Sequence, residues 1–515
     1  MKKYYSFWLL ACIVISLKAQ ENSQTREIEY PFAAPGSEVT RGVFGSEDDR
    51  KEVKDAEGYE DFVRATAVMI SKSNIYNDEF YSWSLRERLQ RQFGTNKFDE
   101  NVKFLDQPAI GSCTGFLIAP DILVTAGHCI NSLEDAKKYV WVFDYTSESK
   151  FINGRKLKFK PENIYEVESI ISTKLDDKTK DDYAFIRLRR KSNRDPYRFR
   201  TSGKVLEDTK INTIGSPTGL PLKFTTNAVV VDNKPKNWFL SSLDNFPGNS
   251  GGPVFDQNGF IEGILVRGMD VYSVADGRYT GDYKYNPKCN CIQTVSINSI
   301  FLKGDCESHK ITEVPTKILI EAVYENIEYA IKNNLEDRFN SWSIYSWIFN
   351  HKYTKQQGRF ENLAIEQNNT YALKQILKLT TESMSDQQAR QLIDFAISKN
   401  NDEILQILLD SGLLADAGLD STYTSLQNAV ISDNLAIAET LIYYGADTKV
   451  KTSSGDNLLH LAARNGSFEM AKLLVKNGVD AGAKNSKKRR PEKVAKKSGH
   501  KSLAKYLKKA RKGRL

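Results

Sequence analysis

The 515-residue sequence has few histidines and few cysteines, and both shortages narrow what the chain can do. It holds five histidines and six cysteines. The closest cysteines, Cys289 and Cys291, are one residue apart, which is not a zinc spacing, and His309 nearby lacks a plausible fourth ligand. We therefore expect no metal site and no cofactor.

Long apolar runs are absent except at the N-terminus. There, Lys2 and Lys3 precede a short apolar run that leads to Ala19. The run falls short of the ~20 residues that cross a bilayer comfortably. Its layout is typical of a signal peptide cut after Ala19, and lipoprotein cleavage before Cys12 is the alternative. We expect export, to the periplasm or the medium, with residues 1–19 removed.

The composition predicts folded domains: 40% of residues are hydrophobic and 27% are charged. Residues 20–42 are polar and contain two prolines, which indicates a leader or pro-segment. In residues 43–312, short β-like runs alternate with turn residues, which predicts an all-β sandwich or barrel. These runs are Ala65–Ile70, Thr114–Ile118, Ile122–Ala126, Tyr139–Phe143, Ala184–Leu188, Asn227–Val231, Pro253–Phe255, Ile261–Val266 and Thr294–Ile297.

Strand-like patterns are scarce after residue 312. Residues 313–355 read as a helical connector, with Ile318–Asn333 and Trp342–Phe349 helical. Residues 356–515 are helical and repetitive, with similar apolar segments that recur every 33 residues. This period, and the stretch Gly455–Gly466 with its Leu-His-Leu-Ala-Ala, resemble ankyrin repeats, about five in number. Such an array implies a surface that binds a protein substrate or partner.

Acidic residues are nearly missing from the C-terminal end. Lys484–Leu515 contains fifteen lysines and arginines and one acid, Glu492, so its charge is about +14, whereas the whole chain carries +8. A terminal repeat needs a polar outer face, which lysines supply. The same charge would also attract a polyanion or an anionic surface.

The stretch Gly248–Pro253 (Gly-Asn-Ser-Gly-Gly-Pro) raises the question of whether Ser250 is a nucleophile. A serine hydroxyl needs a base within hydrogen-bond reach, and histidine is the usual one. Within residues 43–312 only His128 and His309 are available. His128 directly follows two apolar runs that are joined by a short turn, which places it at a strand end.

Cys113 and Cys129 stand at the two ends of those paired runs. In an antiparallel pair with so short a loop, these ends lie side by side, so a disulfide could close there and fix the histidine's loop to the sheet. Of the remaining cysteines Cys289, Cys291 and Cys306, at most two can pair, and which two is left open.

Three motifs resemble those of trypsin-like serine proteases. Thr125–Cys129 (Thr-Ala-Gly-His-Cys) is similar to the motif that carries the family's histidine, and Gly248–Pro253 to the one that carries its serine. Lys180–Leu188 resembles the segment with the family's aspartate. The resemblance implies a chymotrypsin-like double β-barrel followed, in this chain, by an all-α ankyrin solenoid. The chemistry that this resemblance implies uses no cofactor.

The resemblance also implies residue roles. His128 is the general base and acid, Ser250 the nucleophile, and Asp182 the orienting acid, with Asp181 as its competitor. The backbone N–H groups of Gly248 and Ser250 form the oxyanion hole. The expected function is therefore that of an exported serine endopeptidase. An inactive protease-like scaffold and an Htr-type periplasmic quality-control protease are the alternatives.

The segment Val43–Val53 resembles the mature N-terminus of bacterial glutamyl endopeptidases, which predicts processing before Val43. Those enzymes carry a histidine in the primary specificity pocket, and the corresponding Ile264–Gly268 has none. Glutamate preference is therefore not expected. Asp244 stands near the place of trypsin's selector for basic residues, but Phe246-Pro247 replaces a disulfide-tied loop there, so a loop hydrogen-bonding role for Asp244 is the expectation and selection of basic residues the alternative.

Overall fold

The computed structural model describes residues 50–55, 62–244, 246–267, 283–294, 306–416 and 423–514. The predicted signal peptide, the leader and the proposed cleavage site before Val43 lie outside these residues. The chain divides into two units, Met1–Ala322 and Val323–Leu515. None of the described helices combines the length and apolar character needed to cross a membrane.

The N-terminal unit is built from short strands. In chain order they are β1 (Lys51–Glu52), β2 (Thr66–Ser71), β3 (Ile75–Tyr76), β4 (Glu79–Tyr81), β5 (Cys113–Leu117), β6 (Ile122–Thr125), β7 (Tyr139–Phe143), β8 (Lys156–Leu157), β9 (Ile164–Tyr165), β10 (Val167–Asp176), β11 (Asp181–Leu188), β12 (Lys210–Gly215), β13 (Lys223–Asp232), β14 (Trp238–Ser241), β15 (Pro253–Asp256), β16 (Ile261–Arg267), β17 (Tyr283–Asn286), β18 (Cys291–Thr294) and β19 (Cys306–Lys310).

Two seven-stranded sheets account for most of these strands. One has the order β10-β11-β6-β5-β2-β7-β9, and no pairing between described residues closes it. The other has the order β1-β13-β12-β15-β16-β19-β14, and a further pairing of β13 with β14 closes six of its strands into a barrel. The expected β-barrel architecture is confirmed as one closed barrel and one half-barrel.

Strand composition explains the burial of the first sheet's centre. β5 and β6 are buried at every position, and β6 consists of Ile-Leu-Val-Thr, residues that favour a pleated, buried surface. In contrast, β10 has the sequence Val-Glu-Ser-Ile-Ile-Ser-Thr-Lys-Leu-Asp and is only partly buried. Its mixed polarity explains why the apolar pattern does not predict this ten-residue strand.

A helix and a hairpin lie outside the two sheets. Helix α1 (Leu85–Phe93) follows Ser84, which forms a capping box with Glu87. Its Leu85 and Leu89 share a buried apolar cluster with Tyr283 of the β17–β18 hairpin. The sequence patterns predicted neither element. The second short helix of this unit is α2 (Leu133–Ala136).

The rest of the described chain is helical. Helix α3 (Thr316–Lys332) matches the helix predicted over Ile318–Asn333. The predicted Trp342–Phe349 helix is different: the observed helix ends at Ser343, and a separate 3₁₀ turn covers Ser346–Asn350.

Five helix pairs follow in the described chain. From residue 425 onward, corresponding helices of successive pairs begin 33 residues apart. The helices are α4 (Glu336–Ser343), α5 (Lys352–Gln357), then the pairs α6 (Phe360–Glu366) and α7 (Thr370–Thr380), α8 (Asp386–Ser398) and α9 (Asp402–Asp410), α10 (Ser425–Ile431) and α11 (Leu435–Tyr443), α12 (Leu458–Asn465) and α13 (Phe468–Lys476), and α14 (Pro491–Lys497) and α15 (Lys501–Arg511).

Candidate active site

Strand pairing places His128 beside Asp182. His128 follows β6 by three residues, and Asp182 is the second residue of β11, which runs antiparallel to β6. The register sets Ala184 opposite Thr125, so Asp182 falls opposite the loop that begins after β6. Two residues that are 54 positions apart in sequence thus meet at one end of the half-barrel.

Asp182 is fully buried and binds His128 twice. Its Oδ2 lies 2.9 Å from the His128 Nδ1, and its Oδ1 accepts the His128 backbone N–H at 3.0 Å. The His128 side chain is 35% exposed. The imidazole therefore has one edge held by a buried carboxylate while the other is open to solvent. An arrangement of this kind fixes the ring's orientation and its tautomer.

Asp181, the sequence competitor for that role, contacts a different histidine. Neighbouring residues of a strand face opposite sides of a sheet. Asp181 Oδ1 lies 3.1 Å from Nε2 of the buried His309, and Asp181 also accepts a hydrogen bond from Thr179 and an ion pair from Lys174. Burial alone would raise the pKa of Asp181, but these partners lower it to about 2.

Ser250 and His128 both lie close to the disulfide between Cys113 and Cys129. The Cys129 Sγ is 3.7 Å from the Ser250 carbonyl oxygen, and a His128 ring nitrogen is within 4.8 Å of both sulfurs. The Thr114 N–H donates to the Ser250 carbonyl at 2.9 Å, which ties the serine's backbone to β5. Among the described residues, no hydrogen bond joins the Ser250 hydroxyl to His128.

The backbone around Ser250 presents two N–H groups without internal acceptors. Within the described chain, neither the Gly248 N–H nor the Ser250 N–H donates a hydrogen bond, whereas those of Asn249, Gly251 and Gly252 all do. Gly248 has φ of +99°, a region that residues with a β-carbon rarely adopt. The loop is therefore shaped so that these two donors remain available to a ligand.

Asn249 is held in a tight, uncharged environment. Its side chain is 3% exposed, and its Oδ1 is buried without a hydrogen-bond partner among the described residues. It packs directly on Gly215, where a β-carbon would approach the Oδ1 to 2.4 Å. The space thus accepts an amide at position 249 only because position 215 has no side chain.

Arg267 is a contact of the site that the sequence reasoning missed. Its Nη2 donates to Asp182 Oδ2 at 3.0 Å, and its Nη1 lies 3.2 Å from a Glu307 carboxylate oxygen. Asp182 therefore shares one carboxylate oxygen between His128 and a guanidinium. In the sequence, Arg267 stands out only as part of a segment without histidine. No short-range pattern links it to Asp182, which is 85 positions away.

The pairing of the cysteines also decides whether their sulfurs can bind a metal ion. Cys289 and Cys291 form a second disulfide, and the buried Cys306 is in no disulfide with the other described cysteines. Within the described residues, His128 and its neighbours Cys113 and Cys129 form the one group with metal-ligand proximity. Because both sulfurs are held in a disulfide, they are not available as thiolate ligands.

The specificity segment is partly described. Ile264–Arg267 is the end of β16, and Gly268 lies outside the described residues. Asp244 is half-buried and accepts no hydrogen bond from the described residues. The interpretation of Asp244 as a loop residue, with selection of basic residues as the alternative, stays a prediction.

In the helical unit, His460 has a structural position. It is buried, accepts a hydrogen bond from the Asn457 N–H at its Nδ1, and contacts the Arg489 carbonyl at 2.9 Å through its Nε2. The Asn457 bond caps the helix that holds His460, and the Arg489 contact links this helix pair to the next one. At the C-terminal end, α15 buries only Leu503 and Leu507, so most of its lysines face solvent.

Comparison with known families agrees with the two units. Residues 113–264 match the model of the trypsin-like peptidase domain, and residues 426–514 match the model of ankyrin repeats in three copies. The remaining two of the five helix pairs precede this match.

Curated relatives cover only part of the chain. Ankyrin repeat and SOCS box protein 5 of Oryctolagus cuniculus is 36% identical over 100 residues, which is 19% of this chain and 30% of the relative. The B-cell lymphoma 3 protein homolog of Mus musculus is 28% identical over 140 residues, 26% of this chain and 31% of the relative. The Notch-regulated ankyrin repeat-containing protein of Homo sapiens is 28% identical over 92 residues, which is 17% of this chain and 81% of the relative. The chain thus spans about a third of the length of the first two.

Proposed function

Because residues 113–264 are a trypsin-like peptidase domain and residues 426–514 are ankyrin repeats, we propose that the chain is an exported serine endopeptidase with a protein-binding array. The observation that carries the proposal is the buried Asp182 held on the His128 imidazole, beside the disulfide that also contacts the Ser250 backbone. The two disulfides are compatible with a periplasmic or extracellular location.

In the proposed reaction, Ser250 Oγ attacks the carbonyl carbon of the scissile peptide bond. The His128 Nε2 takes the hydroxyl proton, and Asp182 stabilises the imidazolium that forms. When the tetrahedral intermediate collapses, the carbon–nitrogen bond breaks and His128 gives its proton to the leaving amine. Water then hydrolyses the acyl-enzyme with His128 again as base. The Ser250–His128 hydrogen bond of such sites often tightens only when substrate binds.

The developing oxyanion would be bound by the N–H groups of Gly248 and Ser250. Both lack an acceptor among the described residues, so no internal bond has to break when the charge forms. Each such donor typically contributes about 3 kcal/mol to transition-state stabilisation. In the proposed enzyme, the uncharged Asn249 keeps this loop in place without the ion pair that an aspartate there would need.

The helical array is proposed to bind a protein substrate or partner, and its last repeat an anionic surface or polyanion. The exposed lysines of α15 support the second part, since Glu492, the one acid of Lys484–Leu515, is itself paired with Arg511. Binding to anionic vesicles or heparin should weaken strongly on truncation before Lys484, and undiminished binding would contradict it.

A fluorophosphonate probe tests the proposed chemistry. The purified, processed protein should be labelled, and labelling and peptide hydrolysis should both disappear in Ser250→Ala, whose fold is checked by circular dichroism. A well-folded protein with no Ser250-dependent labelling would instead indicate an inactive scaffold. Cleavage confined to unfolded proteins would favour a quality-control protease.

A further inference from the structure

A cavity of about 340 Å³ adjoins the proposed oxyanion loop. This volume lies at the lower end of the range of roughly 300–1,000 Å³ that is usual for ligand pockets. Its walls include Arg88, Ser112, Thr218, Pro247, Gly248 and Tyr283. The cavity thus joins the loop that presents Ser250 to helix α1 and to the β17–β18 hairpin, both of which lie outside the two seven-stranded sheets.

Helix α1 is firmly fixed where it forms this wall. Leu85 and Leu89 are buried in the cluster that also contains Tyr283, and the Ser84–Glu87 capping box closes the helix start. Glu87 in addition binds Arg155 at 3.0 Å. A side chain on this helix therefore has a defined position relative to the oxyanion loop.

Arg88 is the charged side chain of the cavity. Of the described residues that line it, no other carries a formal charge. The Arg88 Nη1 donates to the carbonyls of Thr218 at 2.6 Å and Ala109 at 3.1 Å. Nε and Nη2 make no hydrogen bond within the described residues. A guanidinium edge of two parallel N–H groups matches a carboxylate in a bidentate fashion.

The position of the cavity indicates which part of a substrate it would meet. Ser112 directly precedes Cys113, and the partner of Cys113, Cys129, directly follows His128, the group that would protonate the leaving amine. Ile264–Arg267, the segment that the resemblance relates to primary specificity, contributes nothing to the described walls. The described walls thus include the residue before the disulfide that adjoins His128 and exclude Ile264–Arg267, which is the placement expected of a pocket for the leaving-group side of a substrate.

We propose that this cavity binds an aspartate or glutamate side chain of the substrate, on the C-terminal side of the scissile bond, through the Nε–Nη2 edge of Arg88. The inference rests on the proposed peptidase function and adds a specificity-determining residue to it. The substrate class is a protein with an acidic residue shortly after the cleavage point.

Cleavage of a peptide library by the full processed chain tests the proposal. We expect kcat/KM to be about tenfold higher for acidic than for neutral residues at one position after the scissile bond, the effect of one charge-assisted hydrogen bond. Arg88→Gln should remove this preference and Arg88→Glu should turn it toward lysine and arginine. Arg88→Lys keeps the positive charge but lacks the two parallel N–H groups of the guanidinium, so it should retain part of the acidic preference.

Arg91→Gln is the matched control, because it removes the same charge from the same helix. The Arg91 guanidinium stacks on Trp83, 4.4 Å from the ring centroid, and Arg91 is not among the described residues that line the cavity. The control should keep the acidic preference. Equal preference in wild type and Arg88→Gln, or no acidic preference in wild type, would overturn the proposal.

A binding experiment separates this proposal from the proposed activity. Full-length Ser250→Ala is immobilised and exposed to a randomised octapeptide library, and the retained peptides are sequenced. Peptides retained by Ser250→Ala should be enriched in aspartate and glutamate relative to those retained by Ser250→Ala with Arg88→Gln, a comparison in which the basic segment Lys484–Leu515 is the same in both proteins. If wild type hydrolyses nothing but this enrichment is seen, the cavity assignment stands and the catalytic proposal fails. If hydrolysis depends on Ser250 and no enrichment appears, the reverse holds.

Discussion

Replacing Asn249 with aspartate would exchange an amide for a carboxyl group of nearly the same shape and would place a charge in a closed site. The side chain at this position is 3% exposed, its Oδ1 has no hydrogen-bond partner among the described residues, and Gly215 leaves no room for it to move toward β12. An ionised carboxylate buried without a partner is strongly destabilised, so the group would rather bind a proton.

The size of the effect follows from this burial. Full burial typically raises the pKa of a carboxyl by about 3 units or more. Each unit corresponds to about 1.4 kcal/mol, so Asn249→Asp should destabilise the folded N-terminal unit by about 4 kcal/mol near neutral pH. If the loop moves to solvate the charge instead, the Gly248 and Ser250 donors are displaced, and kcat/KM should fall about 10²-fold or more.

Urea unfolding and peptide hydrolysis, each measured at pH 5 and pH 7.5, check this expectation. A raised pKa means that the penalty is present above that pKa and shrinks as the carboxyl is protonated at lower pH. Asn153→Asp is the control, since it makes the same chemical change at an exposed position. An Asn249→Asp protein with wild-type kcat/KM and wild-type urea midpoint at pH 7.5 would refute the reasoning.

Three further predictions concern the neighbouring groups. Asp182→Asn should lower kcat on the order of 10⁴-fold, as loss of the orienting carboxylate does. Asp181→Asn should keep kcat within about threefold but lower the urea midpoint, because its buried hydrogen bonds are lost. Equal losses of kcat in the two variants would contradict the assignment of Asp182 as the orienting acid. Replacing Cys113 and Cys129 together by serine should destabilise the unit by about 3 kcal/mol in urea unfolding, which is the typical effect of a disulfide that closes a loop of this length. An unchanged urea midpoint would contradict this. Burial lowers the pKa of His309, although Asp181 and Asp182 partly oppose this shift. Below about pH 6.5 the unfolded chain therefore binds a proton that the folded chain does not, and the unfolding free energy falls. His309→Gln should make the unfolding free energy less dependent on pH than it is in wild type.

Local motifs predicted much of the candidate site, because each motif places its residue next to a strand end or a tight turn. His128, Asp182 and Ser250 all stand in such contexts, and β6 and β11 bring the first two together. Arg267 escaped notice because its contact with Asp182 depends on how two distant strands pack. Sequence spacing carries no record of such a contact.

The fold was predicted best where apolar runs are continuous. β7 was placed at its observed residues and β6 to within one, whereas the polar strand β10 was missed because its side chains are only partly buried. Helix α1 was missed because its apolar face has three buried residues in nine, a pattern too sparse to stand out. The repeat period succeeded over the last three helix pairs, since there the same pattern recurs at a constant interval.

The alternation of Asp181 and Asp182 along one strand has a consequence for how this gene can change. Adjacent positions on β11 serve an exposed histidine and a buried one from opposite faces, so a one-residue insertion or deletion inside β11 would exchange or remove both partners at once. The turn 177–180 that precedes the strand holds neither of the two aspartates, although its Thr179 donates a hydrogen bond to Asp181. Length variation among homologues should therefore collect in the turn and be absent from the strand.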